Sequence, residues 1–260
     1  MKNLIQKLFK KDLYPELTKA GGLCIGLNNT LESIGSEIRV RNDQMEELSF
    51  AYARVEKNNK FSQIYIASEE KLFLSDFWKD GVCLANGKTE EITEIAKSLD
   101  YWLNNDVSTK KLSTKFKFIQ PNEKSESFDR GNEIEYTWNK ILENGFNELN
   151  QFIELAINDD TINKLFPYTS LYTLCFSRCT GYPYDSTDLP NVTPKSNAWT
   201  LPESTKKDIK TESPIDEIIY VVSKNKNEYI GQGNAEKALR LVKDNLPKGT
   251  LSVKKGTFDD

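Results

Sequence analysis

Residues 62–103, SQIYIASEEKLFLSDFWKDGVCLANGKTEEITEIAKSLDYWL, decide the fold class. Between Ser62 and Ala67, Ile64 and Ile66 alternate with Gln63 and Tyr65, the period-two pattern of a half-buried strand. Ser68-Glu69-Glu70 supplies a polar turn, and Leu72 to Phe77 reads as the next strand. Lys79-Asp80-Gly81 turns the chain again into a short segment Val82-Cys83-Leu84-Ala85, which Asn86-Gly87 closes. Thr89 is then a fitting N-cap, with Glu90 and Glu91 placed where the helix dipole favours negative charge. From Ile92 the period changes. Ile92, Ile95, Ala96, Leu99, Trp102 and Leu103 recur at spacings of three and four, one apolar helical face made for a core. Antiparallel strands closed by tight turns and followed by a helix predict an α+β architecture.

Working back toward the start, Leu48 to Val55 and Glu37 to Val40 read as further strands, with Lys57-Asn58-Asn59-Lys60 as a turn. Leu13 to Ile34 predicts a helix entered through Tyr14-Pro15-Glu16, and Gly21-Gly22 is placed to break or bend it. The opening MKNLIQKLFKK spaces Leu4, Ile5, Leu8 and Phe9 as a short amphipathic helix. Gln6 and Lys7 interrupt its apolar residues, so it lacks the continuous apolar core and cleavage site of a secretion signal. Four apolar residues also bury too little area for firm membrane anchoring. No run approaches the ~18 apolar residues that a spanning helix requires.

Working forward, residues 104–131 are polar and rich in Lys, Ser and Asn, and 111–131 is the best linker in the chain, although Leu112, Phe116 and Phe118 are placed to dock parts of it. Ile134, Trp138, Ile141 and Leu142 mark one helix, and Phe146, Leu149, Phe152, Ile153, Ala156 and Ile157 mark a second. With Gly145 between them they predict an αα-hairpin. Leu171 to Arg178 reads as a strand, and the segment from Gly181 to Pro214, with five prolines, resists placement in regular structure. Glu217 to Ser223 and Glu228 to Ile230 predict a hairpin around Lys224-Asn225-Lys226-Asn227. A closing helix carries Ala235, Ala238, Leu239, Val242 and Leu246 and stops before Pro247. The strand, Gly87, Glu90 and amphipathic helix of the first half echo the strand, Gly233, Asn234, Glu236 and helix of the second. Duplication and chance recurrence of a common unit both account for that echo. The organisation expected is a unit over 1–110, a linker over 111–131 and a second unit over 132–260. Two small antiparallel sheet-plus-helix units are thus joined by a helical segment.

Composition narrows the function. Hydrophobic content of 38% with 28% charged residues suits a globular chain and is too apolar for a disordered one. A net charge of -4 argues against a nucleic-acid footprint, which needs concentrated basic charge. Cys24, Cys83, Cys175 and Cys179 are few and scattered, which fits reduced thiols in a cytoplasmic protein. The sequence has no histidine, and so lacks the commonest general base and the commonest transition-metal ligand. Chemistry would have to run on carboxylates, lysine, tyrosine or cysteine.

Six constellations carry whatever chemistry there is. Cys175 and Cys179, four apart on an expected strand, share a face but lack two further ligands for zinc. Gly231-Gln232-Gly233 opens a helix as a phosphate loop would, but Glu236 stands where the dinucleotide fingerprint has its third glycine. Glu133 and Glu135, in EIEYTW, resemble the paired glutamates of ADP-ribosyl-transferring toxins, yet serve more simply as first-turn acids. Asp185 and Asp188 form another acid pair on the proline-rich segment. Arg178, beside Ser177 and Cys179, is placed either to pair with a carboxylate or to contact a partner. Tyr168, Tyr172, Tyr182, Tyr184 and Trp199 serve either as core or as an aromatic interface. The expected binding surface comprises Thr169, Ser170, Tyr172, Ser177, Arg178, Tyr182, Tyr184, Asp185 and Trp199, with no catalytic residue, metal or cofactor.

The run LFPYTSLYTLCFSRCTGYPY, residues 165–184, resembles the signature of DUF6193, an uncharacterised bacterial family labelled as natural-product biosynthesis proteins. Leu165, Phe166, Pro167, Thr169, Ser170, Thr173, Leu174, Phe176, Ser177, Arg178, Thr180, Gly181, Tyr182 and Pro183 carry the resemblance. Weaker likeness lies at Tyr14-Pro15-Glu16, at the Gly87 to Trp102 unit, at Leu246-Pro247 and at Gly256-Thr257. Leu171, Tyr172 and Cys175 depart from the family's histidine, tryptophan and arginine. Were that histidine catalytic, its loss here would favour binding over turnover. Two functions stay open. One is a non-enzymatic cytoplasmic protein that binds a cognate protein partner, as an immunity protein neutralises a bacterial toxin by direct contact. The other, implied by the family's label, is an accessory enzyme or substrate-binding protein in natural-product biosynthesis.

Overall fold

The computed structural model describes residues 13–40, 50–210, 217–249 and 253–260. The amphipathic helix expected at the start of the chain lies outside them. The chain divides into two compact units, Met1–Gly131 and Asn132–Asp260, each with its own apolar core.

In the first unit, the helix expected over Leu13 to Ile34 is broken at Gly21-Gly22 into α1 (Pro15–Ala20) and α2 (Leu23–Ser33). Gly21 takes φ 101° and returns its amide to the Leu17 carbonyl, a left-handed helix end that only glycine adopts without cost. Strands β1 (Tyr52–Lys57), β2 (Lys60–Ile66), β3 (Phe73–Lys79) and β4 (Val82–Thr89) form an antiparallel meander. Residues 37–40, expected as a strand, hold no regular structure. Gly87 does not end a strand. It sits inside β4, paired with Ser75 on one side and Ile119 on the other. A Cβ there would stand 3.0 Å from both the Phe118 ring and Ser75 Oγ, so the sheet needs glycine for close approach.

Helix α3 (Ile92–Asn104) buries Ile95, Ala96, Leu99, Trp102 and Leu103 in the first core, with Phe73 and Phe77 beneath it. Its N-cap is Glu91 rather than Thr89, whose hydroxyl instead accepts the Glu91 amide. At its other end Lys60 reaches from β2, donating Nζ to the Trp102 carbonyl at 3.2 Å and the Asn105 carbonyl at 2.8 Å. A buried cation thereby satisfies carbonyls that the helix leaves free, and burial pushes the Lys60 pKa down.

Residues 111–131 are no linker. They complete α4 (Thr109–Lys115), form β5 (Ile119–Pro121) as the fifth strand of the sheet, and form α5 (Ser125–Arg130). Leu112, Phe116 and Ile119, three anchors in a polar stretch, are buried in the core and hold it.

The second unit starts with α6 (Glu133–Asn144) and α7 (Asn150–Ile157), the expected αα-hairpin. Strands β6 (Phe166–Ser170), β7 (Thr173–Ser177), β8 (Pro190–Pro194), β9 (Tyr220–Lys224) and β10 (Glu228–Gly233) form another antiparallel meander. Between β8 and β9 lie a 3₁₀ segment, Lys195–Thr200, and the single turn α8 (Glu203–Lys206); α9 (Ala235–Asp244) closes the unit. The proline-rich stretch thus contains the central strand of the sheet. Pro190 and Pro194 stand at the two ends of β8 and Pro167 on edge strand β6, where a missing N–H costs least.

Leu174, Phe176, Val192, Tyr220 and Val222 face the helices and share a core with Trp138, Phe152, Ala238 and Val242. Gly231 and Gly233 point the same way from β10. A Cβ at Gly231 would meet the Leu241 side chain at 2.9 Å, and one at Gly233 would meet Lys237 at 2.5 Å. The Gly-Gln-Gly run therefore lets α9 lie against the sheet. Each unit shows the same order of a helix pair, a five-stranded meander and a later amphipathic helix, although in the first unit that helix precedes the fifth strand.

Candidate functional site

The register Ser170↔Thr173 leaves Leu171 and Tyr172 alone in the turn between β6 and β7. Their φ values, 48° and 62°, are both left-handed, as a two-residue type I′ turn demands. Asn-Gly is the usual solution, because a bulky side chain at positive φ is strained. Here the turn holds leucine and tyrosine. Leu171 is 71% exposed. The Tyr172 ring lies 4.4 Å from Phe146, in the α6–α7 connection, and 5.9 Å from Trp199 in the 3₁₀ segment. Trp199 is itself 66% exposed, so an apolar tip stands out in solvent.

The opposite face of this sheet is buried but polar. Thr173 and Thr193 share a hydrogen bond of 2.8 Å, and Ser223 Oγ donates to Asn191 at 2.7 Å, each 5% exposed or less. Lys226, in the β9–β10 turn at φ 61°, donates Nζ to the Ser170 carbonyl at 3.1 Å and to Ser170 Oγ at 3.0 Å. Pairing of β7 with β8 and of β8 with β9 puts those two residues at diagonally opposite corners of the sheet. The sheet must therefore coil until the corners meet, with the polar face on its concave side. Thr205 Oγ1 donates to the Lys226 carbonyl at 2.6 Å, and the Lys210 amide donates to Gln232 Oε1 at 2.9 Å. The segment after β8 is thereby strapped to the β9–β10 hairpin.

The loop from Arg178 to Leu189 closes on itself. The Arg178 guanidinium donates to Asp185 Oδ1 at 3.1 Å and to Asp188 Oδ1, while its amide donates to the Asp185 carbonyl at 2.9 Å. The hydrogen bond from Arg178 holds the Asp188 carboxyl below the usual aspartate range. Arg178 and Asp185, both singled out as binding residues, thus satisfy each other. Lys254, Gly256 and Phe258 add backbone hydrogen bonds along residues 178–183. Cys179 is fully buried, and its Sγ accepts the Asp185 amide at 3.2 Å. Burial raises the Cys175 thiol pKa, so this cysteine is a poor nucleophile. Among the described residues no three His, Cys, Asp or Glu side chains cluster as metal ligands.

The remaining aromatics gather beside this loop. Tyr184 stacks on Tyr168 at 4.3 Å and meets Tyr182 edge-on at 5.8 Å. Tyr182 is 71% exposed, whereas burial pushes Tyr168 up to about 12. Ser177 is buried, donating to the Cys179 carbonyl, and Thr169 is exposed on the face of β6 opposite Ser170. The aromatic surface expected from the sequence thus divides between the tip, with Tyr172 and Trp199, and the loop, with Tyr182 and Tyr184. Leu171, Phe146, Thr205 and Lys226 belong to the tip and were not foreseen. The signal for them was a bulky pair between Ser170 and Thr173, hydroxyl residues that open and close a turn.

The segment carrying both groups has recognisable relatives. Residues 132–211 match the model of DUF6193, a family of unknown function. The match starts where the second unit starts and runs through α6, α7, β6, β7, β8 and α8, taking in Phe146, Tyr172, Arg178 and Trp199. Lys226 falls beyond it, as do the weaker likenesses at Tyr14, Gly87, Leu246 and Gly256. The DUF6193 description states no activity. No curated protein and no solved structure matches the chain.

Proposed function

We propose that this protein acts by contact, as a non-enzymatic binding protein of the immunity type that occludes the active site of a toxin. Leu171, Tyr172 and Trp199 form its contact surface. One observation carries this reading: an exposed leucine occupies a left-handed turn position that asparagine or glycine would fill more cheaply. A strained backbone and apolar surface left in water are costs that burial in a partner's apolar pocket would offset. Aromatic residues on a rigid scaffold are also the usual anchors of protein interfaces. A toxin encoded beside this gene, coexpressed with the protein, tests the idea. Protection by the wild type and its loss in Leu171→Ser/Trp199→Ala are expected; equal protection by both would overturn it.

A second reading, substrate binding in natural-product assembly, has one observation in its favour. A cavity of about 500 Å³ lies in the first unit, lined by Ser108, Thr109, Asn122, Ser125, Asp129 and Arg130 among others, a size suited to a small polar molecule. A metabolite carried through purification and seen by native mass spectrometry would favour this reading over the first.

No helix among the described residues is long and apolar enough to cross a membrane.

A further inference from the structure

We propose that Lys226 is the positioning residue of the apolar tip, joining its two limbs into one preformed surface. The tip is built from separate parts: the β6–β7 turn contributes Leu171 and Tyr172, and the segment after β8 contributes Trp199. Lys226 touches both. Its ammonium binds the carbonyl and the hydroxyl of Ser170, the residue that opens the turn. Its own carbonyl receives the Thr205 hydroxyl, which pins the segment that bears Trp199.

The position itself is a second, independent sign. Lys226 lies at φ 61° beside Asn225 at φ 51° in the three-residue connection between Lys224 and Glu228, again a place that favours glycine. A lysine is strained there as a turn residue. Its long stem and three ammonium donors are what a bond to the far corner of the sheet requires. A compact ammonium shared between two neutral oxygens is a charge-assisted link, stronger than a neutral one. Holding the tip in its bound form before a partner arrives reduces the entropy lost on binding.

The link from Lys226 to the tip stands on this geometry, whereas its consequence for affinity rests on the contact reading given above. Hydrogen exchange on the full chain tests the link without any partner. Lys226→Met keeps the stem and removes the ammonium. Exchange at the amides of 170–173 and 196–201 should rise together by about tenfold, with the exchange of α9 unchanged. Lys226→Arg should restore most of the protection. Thr205→Val, which cuts only the carbonyl limb, should loosen 196–205 and leave the turn alone. Unchanged exchange in Lys226→Met, or loosening of one limb only, overturns the proposal. Affinity for the coexpressed toxin should fall in Lys226→Met, although Leu171 and Trp199 are intact. If the wild type binds no toxin, the contact reading falls while the exchange result still decides the role of Lys226.

Discussion

Lys226 Nζ lies 3.0 Å from Ser170 Oγ, although strand pairing sets the two residues at opposite corners of the second sheet. A flat sheet would hold them apart by three strands and the length of β8. The bond therefore records strong coiling, and coiling explains why Thr173, Asn191, Thr193 and Ser223 are buried although polar. On the concave face threonine pairs with threonine and serine with asparagine across strands, which an apolar face would not need to do.

The first prediction concerns the turn beneath that bond. Replacing Leu171-Tyr172 by Asn-Gly places in each left-handed position a residue that tolerates it. Stability in denaturant should rise by about 1–2 kcal/mol, and under the contact proposal protection against a coexpressed toxin should be lost. A protein that became less stable would show that the tip's apolar contacts outweigh its strain.

Arg178 yields a second prediction, with a definite sign in pH. Asp188 has a folded pKa below its unfolded value because Arg178 hydrogen-bonds its ionised form. Its contribution is complete above the unfolded pKa and is lost as pH falls through the folded one. Acid unfolding of wild type should thus include a component below about pH 4 that Asp188→Asn lacks. Arg178→Met, which frees both carboxylates, should cost about 1–2 kcal/mol at neutral pH, since the pair is partly solvated. Thermal melts of the three proteins across that range give the comparison.

Tyrosine titration offers a third. Burial raises Tyr168 and Tyr220 to about 12. Both are raised above their unfolded value near 10, so the stability they contribute is fully present below about pH 10 and is lost above it. Tyrosinate absorbance should show a late fraction, and Tyr168→Phe should remove part of it. A titration complete near pH 10 in the folded protein would contradict the burial of both rings.

A fourth prediction separates packing from nucleotide chemistry in Gly231-Gln232-Gly233. Gly233→Ala should destabilise by about 1–3 kcal/mol, because the added methyl group meets Lys237 where α9 lies on the sheet. Added ATP should leave the melting temperature of the wild type unchanged. A rise with nucleotide would restore the phosphate-loop reading.

Sequence periodicity disclosed the longer helices well, whereas short α4, α5 and α8 escaped it, and the reason is physical. Trp102 and Leu99 in α3, or Ala238 and Val242 in α9, sit on single faces whose spacing is set by the helix itself. Central strand β8 escaped because it is five residues long with proline at both ends, and its burial comes from neighbours remote in sequence. The supposed linker misled through composition: Leu112, Phe116 and Ile119 are sparse, yet three well-placed anchors suffice. Arg178 was legible as an ion-pairing residue, and the pair with Asp185 and Asp188 is what forms. Lys226 was not legible at all. Its partner lies 56 residues away and meets it only through the coil of a sheet.

Both sheets pair each strand with its neighbour in the chain, and each unit has a separate core. Most paired strands are therefore close in sequence, which favours rapid formation for a β-rich architecture, although residues 90–118 lie between β4 and β5 and residues 195–219 between β8 and β9. On the ribosome, the first unit has every strand of its sheet once residue 121 has emerged. It can thus fold while the strands that carry the tip are still being made.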